Sequence, residues 1–440
     1  MKRLLITGTH SGCGKTTITC ALLAALKQRR LSPVAFKCGP DYIDPMFHRA
    51  TSNIKAYNLD PFLLNHQGLC AHLASHAGQL AIIEGAMGYY DGIANSEEAS
   101  AYTVAKVTKT PVVLVLSARG IGHSLTAIIE GYKKHRSDSQ IEGVIFNDAS
   151  LSRYPDLQNI AEQAGVKAYG FMPHNKAWEL PSRHLGLLTA SEVDDFQAKL
   201  LAWSEQAEES LDIDGLLKLA ASAPNIETSS SAPTSSKPQK LGKRLAISLD
   251  EAFCFHYEEN WELLQDLGCD LVFFSPLHDQ QLPENISGLF LAGGYPELHL
   301  PKLEANTTMR QNIKDAISNG LPTIAECGGF MYLHEAIADY KMCGIIQGNS
   351  FATDRLQRFG YITLTAEHDN LLCRKGDMIR SREFHYWEST HPGKSFRAQK
   401  AGRDNNYTCI HASSSLYAGF PHLFLPANPS FALRFVDNLS

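Results

Sequence analysis

Residues 8–17 read Gly-Thr-His-Ser-Gly-Cys-Gly-Lys-Thr-Thr and follow the apolar run Arg3–Thr7. A loop that grips a polyphosphate needs backbone N–H groups aimed inward, which glycine permits. It also needs a helix start behind it, which favours anions. In this loop Gly12 and Gly14 allow close approach, and Lys15 is placed to neutralise the β- and γ-phosphates. The Thr16 hydroxyl is placed for Mg²⁺, with Thr17 beside it. The strict pattern G-x-x-x-x-G-K-[ST] asks for glycine at position 9, where Thr9 stands, so the loop is a variant.

Two acidic segments follow later apolar runs: Cys38-Gly39-Pro40-Asp41-Tyr42-Ile43-Asp44-Pro45, and Glu84-Gly85-Ala86-Met87-Gly88-Tyr89-Tyr90-Asp91-Gly92. Ligands of open α/β sheets sit beyond the carboxyl ends of the strands, which is where both segments fall. Mg²⁺ takes a few hard oxygen ligands and keeps water. Asp41 and Glu84 are therefore candidate metal ligands with Thr16, and Asp44 and Asp91 candidate substrate contacts. Turn capping around Pro40, Pro45 and Gly92 is the alternative for the aspartates. Lys37 fits either a phosphate contact or a solvated lysine. Asn147 fits either a base-reading amide or a strand-end turn.

The third chemical segment is Ala325-Glu326-Cys327-Gly328-Gly329. A cysteine at a sharp strand-to-helix junction with small neighbours is the layout of a nucleophile elbow, and a helix start behind the sulfur favours thiolate. Upstream, the backbone of Gly293 and Gly294 is placed to donate N–H groups to an oxyanion. His422 is the candidate base, and His385 competes with it.

These segments need strands and helices to hold them. Arg3–Thr7, Pro33–Lys37, Leu80–Glu84, Pro111–Leu116 and Ile141–Asn147 read as buried strands, and Lys15–Arg29 and His123–Lys134 as helices. That alternation predicts an α/β domain with a parallel sheet over 1–224. Residues 225–243, rich in Ser, Thr, Pro and Lys, read as a flexible linker. A second α/β domain is expected over 244–440. Its strands are Arg244–Ser248, Asp270–Phe274, Gly288–Ala292 and Thr323–Glu326; its helices are Asn260–Leu267, Met309–Ser318 and Phe330–Ala338.

The 440 residues carry a net charge of −6, which excludes a chain basic overall and so argues against nucleic-acid and membrane-surface partners. The N-terminal apolar run is too short for a signal peptide, and no stretch nears the ~20 apolar residues of a membrane span. The ten cysteines form no C-x-x-C pair, so reduced thiols and a cytoplasmic location are expected.

Taken together, GTHSGCGKTT, FKCGPDYIDPMFH, EGAMGYYDG, LAGGYPELHL, AECGGFMYL and REFHYWE resemble the cobyrinic acid a,c-diamide synthase family of the cobalamin pathway. The resemblance implies an N-terminal, dethiobiotin-synthetase-like P-loop domain binding Mg-ATP and the corrin. It implies a C-terminal class I glutamine amidotransferase domain that releases ammonia from glutamine. Cys327 matches the family's nucleophile and His422 its activating histidine. Two features depart from the usual pattern. Phe424 stands where the amidotransferase H-x-E motif has its glutamate, as elsewhere in the cobalamin branch, and HLFLPANP differs from the common HLHFASNP-like form.

The implied substrates are cobyrinic acid, L-glutamine and ATP, with acyl phosphate intermediates; a homodimer is compatible with the sequence, and no nucleic-acid or membrane partner is expected. Ammonia transfer implies that the two domains touch. The same motifs suit amidation of hydrogenobyrinic acid or nickel-sirohydrochlorin. A non-amidating P-loop nucleotide switch would need no second domain.

Overall fold

The computed structural model describes residues 1–439 except 52, 181, 184–185, 188–189 and 227–241. Most of the expected linker therefore lies outside the described residues. The chain divides into two compact units, Met1–Ala232 and Pro233–Ser440.

The first unit is built on seven strands: β1 (Lys2–Gly8), β2 (Pro33–Cys38), β3 (Ala56–Leu59), β4 (Leu80–Glu84), β5 (Val112–Ser117), β6 (Ile141–Asn147) and β7 (Lys167–Met172). They pair in the order β3-β2-β4-β1-β5-β6-β7, all parallel. Both faces of such a sheet are covered, so its strands are near-continuous apolar runs, as in Leu80–Glu84 and Val112–Ser117. β3 and β7 were not expected. Asn58 interrupts β3 and Gly170 interrupts β7, which hides the strand pattern. Helix α1 (Lys15–Gln28) is rich in Ala and Leu and buries Ile18, Leu22 and Leu26. Helix α2 (Ile43–Ala50) has Pro45 in its first turn, where the missing N–H costs nothing.

In the second unit the strands Cys269–Phe274, Lys243–Ser248, Gly288–Leu291, Thr323–Glu326 and Leu416–Gly419 form a parallel sheet in that order, closed by antiparallel His411–Ala412. Alternation along these strands splits the core. Leu245, Ile247, Phe290 and Ile324 pack on one side, and Ala246, Leu289, Leu291 and Ala325 on the other. The expected helices appear as Glu258–Asp266 and Thr307–Ser318.

The expected helix Phe330–Ala338 is corrected. The helix is Gly328–Tyr332, and His334–Ile337 is a strand paired with Ile346–Ala352. Tertiary pairing overrides the helical pattern here. Buried His334 donates from Nδ1 to the Phe330 carbonyl at 3.0 Å and meets Ser389 Oγ at 2.7 Å. A five-stranded antiparallel sheet also went unseen: Asn406–Cys409, Phe396–Lys400, Arg358–Ala366, Met378–His385 and His422–Leu423. Its last strand carries His422.

Candidate functional site

The phosphate loop runs from the end of β1 into α1. Gly12 and Gly14 take φ of 84° and 102°, the left-handed region that glycine enters without strain. Lys15 Nζ donates across the loop to the His10 carbonyl at 2.8 Å. Tyr132 holds the Thr9 carbonyl at 3.0 Å, and Asn147 Nδ2 holds that of Cys13 at 3.2 Å. Asn147 thus braces the loop from the end of β6. Thr17 follows in the first turn of α1.

Behind the loop lies a buried charge cluster. Register places Lys37 on β2 opposite Glu84 on β4. Asp44 and His48 sit four residues apart on α2, hence on one helix face. Thr16 Oγ1 donates to Glu84 Oε1 at 2.8 Å and to Asp44 Oδ1 at 3.3 Å. Lys37 Nζ pairs with Glu84 Oε1 at 2.9 Å and with Asp44, and His48 Nε2 lies 2.6 Å from Glu84 Oε2. Burial opposes the charge on Lys37, but Asp44 and Glu84 more than offset it and raise its pKa. Burial also opposes the charge on Glu84; Lys37 and His48 outweigh it and hold the carboxyl below its ordinary range. Burial raises Asp44 to about 7 despite Lys37.

Lys37 is 2 % exposed, which rules out the solvated-lysine reading. Asp41 caps a turn instead, with Oδ1 accepting from Ile43 N at 2.8 Å. Asp91 does the same for Gly88 N at 2.9 Å. The carboxylate that shares Thr16 with Glu84 is Asp44, and the Asp41 charge acts on both Lys37 and Asp44 from beside them. Thr16, Glu84 and Asp44 present convergent hard oxygens and fit Mg²⁺. His48 was missed; its spacing from Asp44 was the available signal.

In the second unit Cys327 takes φ 47°, ψ −104°, at the junction between Thr323–Glu326 and Gly328–Tyr332. That conformation costs a non-glycine residue about 1–3 kcal/mol and is held here by surrounding structure. Cys327 N donates to the Gly419 carbonyl at 2.8 Å, and Met331 N closes back on the Cys327 carbonyl at 2.9 Å. A Cβ placed on Gly293 would lie 2.5 Å from His422 Cε1 and 3.4 Å from Cys327 Cβ. The glycine therefore sits against both the imidazole and the cysteine. A Cβ on Gly294 would collide with the Ala252 carbonyl.

His422 is 2 % exposed, and its Nδ1 lies 3.7 Å from Glu326 Oε2. Burial, with Arg382 and His385 adding to it, lowers its pKa to about 3. Burial raises Glu326 to about 8, partly offset by the hydrogen bond from Leu423 N. The expected lowering of the Cys327 thiol is corrected. Burial pushes it up, Glu297 adds to that, and the Gly328 N–H offsets only part. His385 stacks on Phe420 at 3.9 Å and donates from Nδ1 to the Trp387 carbonyl at 2.6 Å, a structural placement. Glu326 was missed as a partner of His422. Its place beside the cysteine gave no hint of the facing strand.

Residues 4–188 match the model of the CobQ/CobB/MinD/ParA nucleotide-binding domain, and residues 244–429 that of the CobB/CobQ-like glutamine amidotransferase domain. The chain is 36% identical to the cobyrinate a,c-diamide synthase of Caldanaerobacter subterraneus, over 99% of this chain and 98% of that protein. It is 37% identical to that of Clostridium acetobutylicum, over 99% and 100%. The chain belongs to the cobyrinate a,c-diamide synthase family. As a member it is a carbon–nitrogen ligase with glutamine as amide donor, and it joins a P-loop domain to a class I glutamine amidotransferase domain. A solved structure of PurLQS from Thermotoga maritima matches 45% of this chain and 99% of its own at 15% identity and a TM-score of 0.35. Among the described residues no helix is long and apolar enough to cross a membrane.

Proposed function

We propose that this cytoplasmic enzyme amidates the a and c side-chain carboxylates of cobyrinic acid, using ATP and ammonia from glutamine. The observation that carries this reading is the presence in one chain of a buttressed phosphate loop and of a strained cysteine sharing a glycine with an imidazole.

A carboxylate is a poor acyl donor because its leaving group would be oxide. Phosphorylation supplies a better leaving group, so each carboxylate passes through an acyl phosphate. Gly12, Gly14, Lys15, Thr16 and Thr17 bind the nucleotide, and Lys15 stabilises the transferred phosphoryl charge. Asn147 braces the loop beside the nucleotide. Thr16, Glu84 and Asp44 hold Mg²⁺, with Asp41 close by; when bound, the ion neutralises phosphate charge. Asp44 and Asp91 border the substrate.

At the other site Cys327 attacks the glutamine amide while His422 takes its proton, and Gly293 and Gly294 support the oxyanion. Collapse gives a glutamyl thioester and ammonia, and water then frees glutamate. Ammonia displaces phosphate from the acyl phosphate. Bulk water would protonate it, so its route is shielded from water.

Mass spectrometry of cobyrinic acid, hydrogenobyrinic acid and nickel-sirohydrochlorin incubated with the enzyme, ATP, Mg²⁺ and glutamine tests the substrate. A diamide from cobyrinic acid is expected. A diamide from another tetrapyrrole alone would reassign the substrate, and ATP hydrolysis without any amide would leave a nucleotide switch.

A further inference from the structure

In nucleophilic catalysis the base that takes the nucleophile's proton is oriented by a group on its far nitrogen. Phe424, where an acid would stand two residues after His422, is fully buried edge-on against Tyr257 at 5.1 Å and offers no acceptor. The carboxyl against the imidazole belongs to the residue before the cysteine. We propose that Glu326 is the positioning residue of the thiol site, orienting His422 through Nδ1 and stabilising the imidazolium that forms when Nε2 takes the Cys327 proton. This rests on the assignment of Cys327 and His422 above.

Alternation along Thr323–Glu326 turns Glu326 to the same face as Ile324, away from Ala325. Glu326 Oε1 accepts from Leu423 N at 3.0 Å, while Oε2 is 3.7 Å from His422 Nδ1. The backbone around His422 is fixed independently. Ser381 Oγ donates to the His422 carbonyl, and Asn260 bonds the Leu423 carbonyl and Leu425 N, each at 2.8 Å. Catalytic hydrogen bonds are often long before substrate binds and tighten in the complex.

The charges facing this site come from several elements. Arg382 and His385, on the adjacent strand, disfavour a cationic His422. Glu297, Glu326 and Glu383 all oppose a thiolate at Cys327, and Tyr417 faces Glu326. When ionised, Glu326 supplies a negative charge that counters Arg382 and His385. The proton balance is simple: the thiol proton moves to His422 and then to the departing ammonia, while Glu326 neither gains nor loses one. Burial raises Glu326 to about 8, so turnover rises as it ionises through that region.

The test is Glu326→Gln in the full chain. The amide keeps an acceptor for Leu423 N but carries no charge. Glutamate release should fall 10- to 100-fold in kcat, with KM for glutamine within twofold and ammonium-driven amidation of cobyrinic acid within twofold. The rise through about pH 8 should flatten. A kcat within twofold of the parent, or an equal loss with ammonium, overturns the role of Glu326. Cys327→Ala separates the two claims. If it still releases glutamate, the thiol site itself is misassigned; if it is inactive while Glu326→Gln matches the parent, only the role of Glu326 fails.

Discussion

Around Glu84 the protein buries Lys37, Asp44 and His48 against one carboxylate, whereas around Cys327 it buries a thiol, an imidazole and a carboxyl under conditions that favour their neutral forms. Lys37, His48 and Glu84 are as fully buried as Cys327, His422 and Glu326, so burial alone does not explain the contrast. At Glu84 opposite charges lie within bonding distance, and their attraction outweighs desolvation. At His422 the neighbours Arg382 and His385 add to desolvation instead. The first region meets a polyanion and carries the Lys37 and Glu84 charges beforehand, while burial raises Asp44. The second makes charge only during turnover, inside a medium that strengthens each interaction.

The largest effect that sharpens this contrast is the loss of the thiol. Cys327→Ala should lower glutamine-driven amidation by at least ~10³-fold while ammonium-driven amidation stays within about threefold. Steady-state rates with each nitrogen source read the difference.

Glu84→Gln attacks the charged region. It leaves Lys37 without its full counter-charge, and breaking a buried pair costs about 3–5 kcal/mol. Amidation from either nitrogen source should fall at least ~10²-fold, with a lower thermal midpoint for the first unit.

Gly293→Ala drives a methyl group toward His422 Cε1. Overpacking of this kind costs about 1–3 kcal/mol, and glutamate release should drop roughly 10- to 100-fold while ATP binding is unchanged. Isothermal titration and a glutaminase assay separate the two.

Acid should break the comparison from one side. His422 and His334 have pKa values lowered to about 3 and about 4, from an ordinary value near 6.5. Below that ordinary value the unfolded chain binds protons that the folded chain refuses. The stability these neutral histidines contribute is complete above about pH 6.5 and is lost as pH falls toward their folded values. Glu84, held low by Lys37 and His48, keeps its contribution until more acid conditions. Calorimetry from pH 7 to pH 4.5 should show the thermal transition of the second unit falling first. The smallest effect is Tyr132→Phe, which removes one bond to the Thr9 carbonyl and should raise KM for ATP a fewfold.

The chemistry-bearing loops were legible because each requires particular residue types at fixed spacing. Glycine in the phosphate loop and the crowded cysteine junction announced themselves before any contact was known. The parallel strands were legible as apolar runs. What stayed hidden was cross-strand. Glu326 meets His422 only because Met378–His385 pairs with His422–Leu423 and the parallel sheet runs beside Leu416–Gly419. The strand His334–Ile337 was masked by a helical pattern, and the bond from Thr16 to Asp44 depends on where α2 begins. Local spacing reports turns and elbows; partners brought together by distant pairing leave no local trace.

The account stands on nitrogen passing from the neutral site to the charged one. Supplying amide-¹⁵N-glutamine together with excess unlabelled ammonium, cobyrinic acid, ATP and Mg²⁺ tests this directly by product mass. Both new amides should carry ¹⁵N with little dilution. Amides that carry mainly unlabelled nitrogen would contradict it.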